Sequence, residues 1–273
     1  MQVLRSCLLH IGYGTRVFYK SFAAVAITIL LYGTYLLVGV FLAGTLRRYR
    51  LNWRNIIIQL WGKSLLRIIQ ARLNITGNLP QHKPIVLVSN HLSYVDILVY
   101  CALFCPVFIA KAEIASWPII GRLCRSFSVL FINRKSIRQS YKLQQQLYQV
   151  YKTPHSIVFF PEGTSTNGTM IQPFKPLLFH WLADQQIAVH CAFLHYQAPE
   201  GYDAREDICW WRPESGLISH LLRLLRMPGF TIHVNFAHAP LQHQDHKLLA
   251  REAHRTVVYL QQHASAGALP NNN

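Results

Sequence analysis

Acidic residues are nearly missing from the first 161 positions: Asp96 and Glu113 are the only two, against 19 lysines and arginines. Positions 162–273 hold 8 basic and 9 acidic residues, so the net charge of +16 belongs almost entirely to the N-terminal part. A surplus placed this way points to an anionic partner: lipid headgroups, nucleic acid, or an acidic carrier with its phosphates. The plain alternative is a charge that only keeps the protein in solution. Cysteine is present six times but never in C-x-x-C spacing, and several of the six sit in apolar runs. That argues against both a disulfide framework and a zinc site, and leaves them as small hydrophobes. The 14 histidines are scattered; His190 and His195, with Cys191 beside the first, fall in a strand-like run and read as filler. No metal site is therefore expected. The G-x-S-x-G and Walker A patterns are absent, which counts against a nucleophile-elbow hydrolase and a P-loop NTPase. Repeats and low-complexity tracts are missing too, apart from a closing "PNNN".

Charge disappears altogether between Lys20 and Arg47, across "SFAAVAITILLYGTYLLVGVFLAGTL". As a helix those residues reach roughly 39 Å, more than the ~30 Å hydrocarbon core of a bilayer requires. The run is longer than the ~7–15 residues of a signal-peptide core, and "AGTLRRYR" is a poor cleavage site. One membrane span is the reading, with a re-entrant helical pair broken near Gly33 or Gly39 as the alternative. Arg47, Arg48, Arg50, Arg54 and Lys63 follow the run, whereas Arg5, Arg16 and Lys20 precede it. The positive-inside rule then puts the C-terminal part in the cytoplasm, with the chain held in the inner membrane. In the next segment Trp53, Ile56, Ile57, Leu60, Trp61 and Ile68 share one helical face, flanked by Arg54, Lys63 and Arg67. That pattern predicts a basic amphipathic helix lying on anionic lipid, or an ordinary helix packed on the domain.

From about residue 80 short β-branched runs alternate with helical patterns. Strands are expected at 84–89, 107–110, 128–132, 156–160, 187–194 and 230–236, and helices at 93–104, 137–151, 174–184, 216–226 and 245–263. The alternation predicts an α/β domain, a mainly central sheet flanked by helices, with the apolar helix added at the N-terminus. The organisation read from these patterns is a membrane anchor at 1–50, an amphipathic interfacial helix at 51–75, one domain at 76–264 and a frayed tail at 265–273.

Three stretches carry chemistry. In "VSNHLSYVD" a strand ends at Asn90 and His91, and a helix begins near Ser93 with Asp96 in its first turn. Ser93 and Asp96 make a capping box, which needs no further role for either. Yet Asp96 stands almost alone as an acid in its half of the chain, and His91 follows a strand, at the edge where open α/β sheets place their sites. A carboxylate held against one imidazole nitrogen fixes the tautomer and leaves the other nitrogen to take a proton. No serine stands beside the pair, so the hydroxyl activated would belong to a substrate. In "FFPEGTSTNG" a strand runs into Pro161, Glu162 and Gly163, then a Thr, Ser and Asn cluster. Gly163 tolerates positive φ, and successive N–H groups in such a turn can form an anion nest, although Pro-x-Gly also marks plain turns. In "FINRKSIR" Arg134 follows a strand and can offer bidentate contacts to phosphate or carboxylate; its plain alternative is a solvated charge run.

In this order and spacing the sequence resembles the glycerolipid acyltransferase family, best known for its 1-acylglycerol-3-phosphate (lysophosphatidic acid) acyltransferases. The resemblance rests on Asn90-His91 to Asp96 as N-H-x4-D, Phe131 to Arg134 as F-x-x-R, and Phe160 to Thr164 as F-P-E-G-T. "FIAKAEI" at 108–114 looks like the family's Lys-x-Glu segment, with Lys111 in the lysine position. It covers roughly residues 70–240. It implies transfer of a fatty acyl group from acyl carrier protein or coenzyme A, as co-substrate, to a lipid hydroxyl, with no cofactor. It also implies His91 as general base, Asp96 as its orienter, and Lys111, Arg134, Glu162, Gly163 and Thr164 around the acceptor headgroup. Two departures matter: the family usually has arginine after F-P-E-G-T where this chain has Ser165, and Lys175 precedes Pro176 rather than glycine. The acceptor implied first is 1-acylglycerol-3-phosphate, with a non-phosphate acceptor such as lyso-ornithine lipid as the alternative. The expected partners are membrane lipids and the acyl thioester. A basic nucleic-acid-binding protein would explain the charge and the span but not His91, Asp96 or the 159–168 turn, and no nucleic-acid recognition motif is present.

Overall fold

The computed structural model of the chain describes residues 2–42, 44, 47–132, 137–210, 212 and 216–266. Among these, Ala71–Gly77 (β1), Val86–Ser89 (β2), Val107–Lys111 (β3), Leu130–Ile132 (β4), Ile157–Phe159 (β5), His190–Gln197 (β6) and Phe230–Phe236 (β7) form one mixed sheet. Their order across it is β1-β7-β6-β2-β5-β3-β4. β2 runs parallel to β5, with Val86 opposite Ile157, and parallel to β6, with Leu87 opposite His190. β3 is parallel to both β5 and β4. Parallel pairing has one consequence for function: the C-terminal ends of β2, β5, β3 and β4 all open on the same edge of the sheet. All four positions of β2 are buried, which is why its sequence is a continuous apolar run rather than an alternation.

The chain divides into two compact units, each built from separated segments: Met1–Asn74, Leu92–Cys105 and Tyr196–Ile232 in one, Ile75–His91, Pro106–His195 and His233–Asn273 in the other. The stretch 76–264, expected as one domain, contributes segments to both units.

In the second unit the core gathers Val86 and Val88 of β2, Ile157 and Phe159 of β5, and Cys191 and Phe193 of β6. Helix α5 (Ile137–Tyr151), which follows the short α4 (Ile120–Ser126), adds Leu143 and Leu147; α6 (His180–Asp184) adds Leu182; α9 (His246–Ala266), which follows α7 (Ala204–Asp207) and α8 (Leu217–Arg226) in the chain, adds Leu249, Ala253 and Val257. Burial of each such Leu, Val or Phe side chain stabilises by roughly 1.5–3 kcal/mol, and this is what holds helices against the parallel strands.

In the first unit α1 (Gln2–Phe41) runs unbroken through Gly33 and Gly39. Its Gly12–Phe41 part, in which an 18-residue window reaches a mean hydropathy of 2.1, is long and apolar enough to cross a membrane. Beside it lies α2 (Arg47–Ile68), joined by a bond from Trp61 Nε1 to Thr28 Oγ1 at 3.1 Å. α2 also packs on α3 (Val95–Phe104): a Cβ added at Gly62 would sit 2.8 Å from the Ala102 nitrogen, so only glycine allows this approach. The face that α2 buries is Ile57, Ile58 and Leu66 together with Arg54, whose guanidinium donates to the Cys105 carbonyl at 3.3 Å. The expected lipid-facing stripe is thus divided, with Ile57 inside and Ile56 and Leu60 exposed. Nor does the helix reach residue 75. It ends at Ile68, Gln70 takes a left-handed φ of 58°, and β1 begins at Ala71.

Candidate active site

β2 delivers Asn90 and His91 to the sheet edge. The Asn90 side chain continues the ladder where the strand stops: its Nδ2 donates to the Leu194 carbonyl and its Oδ1 accepts the Leu194 N–H, both at 2.8 Å. A buried side chain that pairs both ways with a neighbouring strand fixes the direction in which the chain leaves β2. His91 is then held at both ends of its main chain. Its N–H donates to Glu162 Oε1 at 2.7 Å, and its carbonyl accepts the Thr166 N–H at 2.9 Å. Its imidazole stacks on Phe160, with centroids 4.1 Å apart and planes 12° from parallel, and Phe160 in turn stacks on Phe108 of β3.

Glu162 and Gly163 come off the end of β5. The carboxylate of Glu162 is buried and divided between two main-chain donors, His91 N–H and Gln172 N–H, the latter 2.8 Å from Oε2. The resemblance implies a headgroup role for Glu162, but both its oxygens already accept bonds that tie one loop to another. Gly163 takes φ 78°, as its turn demands, and its N–H donates to the Phe160 carbonyl at 3.1 Å. The anion nest expected here is therefore not built on Gly163's own N–H. Thr164 is exposed, with its hydroxyl 3.4 Å from the Ser165 carbonyl. Lys111 ends β3 on the same sheet edge and is exposed. Arg134, the remaining expected ligand, lies outside the described residues.

In the first unit Asp96 opens α3 and is fully buried. Its Oδ2 accepts the N–H groups of Leu92 at 2.7 Å and Ser93 at 3.1 Å, and Ser93 Oγ faces the Val95 N–H at 3.4 Å. Half of the capping box that the sequence offered as the plain reading is thus present: Asp96 reaches back to the Ser93 N–H, while the Asp96 N–H itself donates to the Ser93 carbonyl rather than to its hydroxyl. Asp96 Oδ1 accepts a further bond from the hydroxyl of Tyr196, whose own ionisation burial and the Asp96 charge push far up. Nearby, Tyr94 OH meets His220 Nδ1 at 3.1 Å while His220 Nε2 faces the Cys209 carbonyl at 3.0 Å. These two contacts assign the proton to Nε2 and leave Nδ1 as acceptor.

Four contributors escape the sequence reading: Asn90 as a ladder extender, Thr166, Gln172 and Tyr196. Asn90 stands inside the N-H-x4-D block, so its position was visible though its role was not. Tyr196 sits 100 residues from Asp96, and no local pattern joins them.

The acyltransferase family model matches residues 72–193. A lyso-ornithine lipid O-acyltransferase of Rhodobacter capsulatus is 34% identical over 178 residues, covering 63% of this chain and 63% of that protein. The chain thus spans a little under two thirds of that relative's length. A 1-acyl-sn-glycerol-3-phosphate acyltransferase of Neisseria gonorrhoeae is 32% identical over 185 residues, 67% of this chain and 71% of that protein. The crystal structure of the 1-acyl-sn-glycerophosphate acyltransferase PlsC from Thermotoga maritima shares the fold with a TM-score of 0.68, at 19% identity, over 97% of this chain and 98% of that one. The chain belongs to the acyltransferase family. Within it, this is an O-acyltransferase similar to the 1-acyl-sn-glycerol-3-phosphate acyltransferases.

Proposed function

We propose that the enzyme moves a fatty acyl group from an acyl thioester, of acyl carrier protein or coenzyme A, to the free hydroxyl of a lyso-lipid. His91 takes the hydroxyl proton as the oxygen attacks the thioester carbonyl. The tetrahedral adduct collapses, the C–S bond breaks, and the imidazolium returns the proton to the leaving thiolate. A thioester is already activated, so the scheme needs no covalent enzyme intermediate and no cofactor. A positioned base contributes ~10²–10⁴-fold, and orientation of the two substrates supplies much of the rest. Asp96, five residues along the chain, is the orienter of His91. Lys111, Arg134, Gly163 and Thr164 lie around the acceptor headgroup, and Glu162 holds the His91 loop.

The observation that carries this reading is the grip on His91: Glu162 on its N–H, Thr166 on its carbonyl and Phe160 on its ring. A histidine fixed at three points on a sheet edge suits a preorganised base better than a plain loop residue. The acceptor read first is 1-acylglycerol-3-phosphate, the acceptor in the Neisseria relative's name; its acylation gives phosphatidic acid for phospholipid synthesis. A second reading has a specific observation behind it. Ser165 stands where the family usually carries arginine, and the Rhodobacter relative is named for a lyso-ornithine lipid. The enzyme works at the inner membrane with its catalytic part facing the cytoplasm, which the charges flanking α1 support. Membranes carrying the protein, given labelled acyl donor and a panel of lyso-lipids, test the assignment. Turnover of one of them that His91→Ala abolishes is expected; turnover equal in wild type and His91→Ala would sink it.

A further inference from the structure

Helix α8 (Leu217–Arg226) has two unlike sides. His220, Leu224 and Leu225 point inward, whereas Ile218, Leu221 and Leu222, spaced i, i+3, i+4, are exposed, Ile218 by 74%. Exposed leucines and isoleucine in a single stripe, with Arg223 and Arg226 beside them, form a surface for which water is a poor solvent.

The C-terminus of α8 is pinned to α1. Lys20 is completely buried there and donates to the Met227 carbonyl at 2.7 Å; Arg16, one turn earlier, reaches the Arg226 carbonyl at 3.5 Å. Both contacts place positive charge on the carbonyl end of α8, where the helix dipole favours it. Lys20 is also the last charged residue before the uncharged run that begins at Ser21. The level at which α1 becomes purely apolar is therefore the level at which α8 is fastened.

The two apolar surfaces are continuous. A groove of about 1120 Å³ is lined by Phe18, Phe22 and Val25 of α1 and by Leu222 of α8, with Arg223 and Arg226 along its rim. Phe18, Phe22 and Val25 are themselves exposed by 74%, 69% and 58%. Among the described residues Asp207 is the one acid lining the groove, and Arg223 donates to the Glu206 carbonyl at 3.1 Å.

We propose that α8 is an in-plane membrane-docking helix: its Ile218–Leu221–Leu222 stripe sits among the lipid acyl chains beside α1, and Arg226 meets the headgroup phosphates. This rests on the reading that α1 lies in the bilayer. The occupant is a lipid surface rather than a protein, because the stripe continues into a segment already apolar enough for hydrocarbon and is rimmed by cations that match anionic headgroups.

The test uses the full chain in vesicles containing anionic lipid. A Cys7→Ser, Cys124→Ser background carries a single added cysteine, Ile218→Cys in one protein and Phe22→Cys in another, each labelled with an environment-sensitive dye. At 218 the dye is expected to emit to the blue of its position in detergent-free buffer. Lipids spin-labelled high on the acyl chain should quench it about twofold, as for a group ~5–10 Å below the headgroups. A dye at 22 that is quenched while that at 218 stays in water overturns the proposal and leaves the reading of α1 standing. Neither dye quenched overturns both. In parallel, Ile218→Glu with Leu221→Glu, at exposed positions that leave the core intact, should cut turnover of vesicle-borne acceptor about tenfold and leave turnover in mixed micelles unchanged. Equal activity of the double variant and wild type on vesicles also overturns it.

Discussion

Glu162 grips His91 by the main chain: one carboxylate oxygen accepts the His91 N–H at 2.7 Å, and the other accepts the Gln172 N–H at 2.8 Å. A buried carboxylate between two backbone donors fixes the position of both loops. The His91 ring stacks on Phe160.

Glu162→Gln separates this role from headgroup binding. The amide keeps one acceptor oxygen but turns an NH₂ toward a backbone N–H, leaving a buried donor unmet at about 1–3 kcal/mol. Thermal denaturation should show a lower midpoint, and kcat should fall with little change in the acceptor KM. A raised KM at unchanged kcat would instead make Glu162 a ligand of the acceptor.

Asp96 is expected to serve twice, as a cap to α3 and as orienter of His91. Asp96→Asn, compared with His91→Ala in the same assay, decides between the two roles. Near-complete loss of acyl transfer in both, with expression and membrane association intact, supports the pair. An Asp96→Asn enzyme that retains most activity but is about 1 kcal/mol less stable has lost only a cap.

Tyr196 reports on the same carboxylate from the other side. Tyr196→Phe keeps the ring against Phe230, whose centroid lies 5.9 Å away, and removes only the hydroxyl that Asp96 accepts. A hydrogen bond to a charged group is worth ~1.5–3 kcal/mol, so a lower midpoint is expected, with a several-fold loss of kcat and an unchanged KM. Loss of stability at full kcat would confine Tyr196 to the fold.

The strands were legible because buried parallel strands are written as short β-branched runs; the expected 107–110 and 230–236 correspond to β3 and β7 almost residue for residue. β1 was not. Ala71, Leu73 and Ile75 do alternate with Arg72, Asn74 and Thr76, but only Ala71 and Leu73 are partly covered, and the stretch also continued the helical pattern expected to run to residue 75. The helix before it stops at Ile68, and Gln70 then makes a left-handed turn that no glycine or asparagine announces. The site shows the same divide. His91, Glu162 and Gly163 stood out by residue type at strand ends, and Asp96 in the first turn of a helix. That Glu162 holds main chain, and that Asn90 mimics a strand residue, depends on partners 71 and 104 positions away.

The histidines of the sheet predict acid sensitivity. His195 lies flat against His233, centroids 4.5 Å apart, and burial, with the His233 charge second, brings its pKa down to about 4. Burial lowers His190 and His233 as well. In the unfolded chain these groups take protons near pH 6.5; in the fold they refuse them. The unfolded state thus binds more protons between about pH 6.5 and 4, and stability is lost as pH falls through that window. Melting curves from pH 8 to 4 should show the midpoint dropping below pH 6.5, and His195→Gln should flatten the drop. A midpoint equally steep in the variant would place the acid lability elsewhere.

Ser165 is the position at which the identity of the acceptor is tested. It follows Thr164 in the turn whose geometry Gly163 sets, at the position where the family usually carries an arginine that grips phosphate. Restoring that group with Ser165→Arg has opposite consequences for the two readings. For a phosphate acceptor, one added charge-assisted contact contributes ~1.5–3 kcal/mol, or roughly ten- to hundredfold in kcat/KM. For a lyso-ornithine acceptor the longer side chain occupies space the native headgroup needs, so native turnover falls while turnover of lysophosphatidic acid rises from a low base. Measuring kcat/KM of wild type and variant on both lipids separates these outcomes. Wild-type turnover of lyso-ornithine lipid well above that of lysophosphatidic acid would overturn the phosphate reading and leave the acyl transfer itself intact. The arginine's reach also explains why one residue matters so much: it brings a planar pair of donors to a dianionic phosphate, whereas a serine hydroxyl offers a single neutral one.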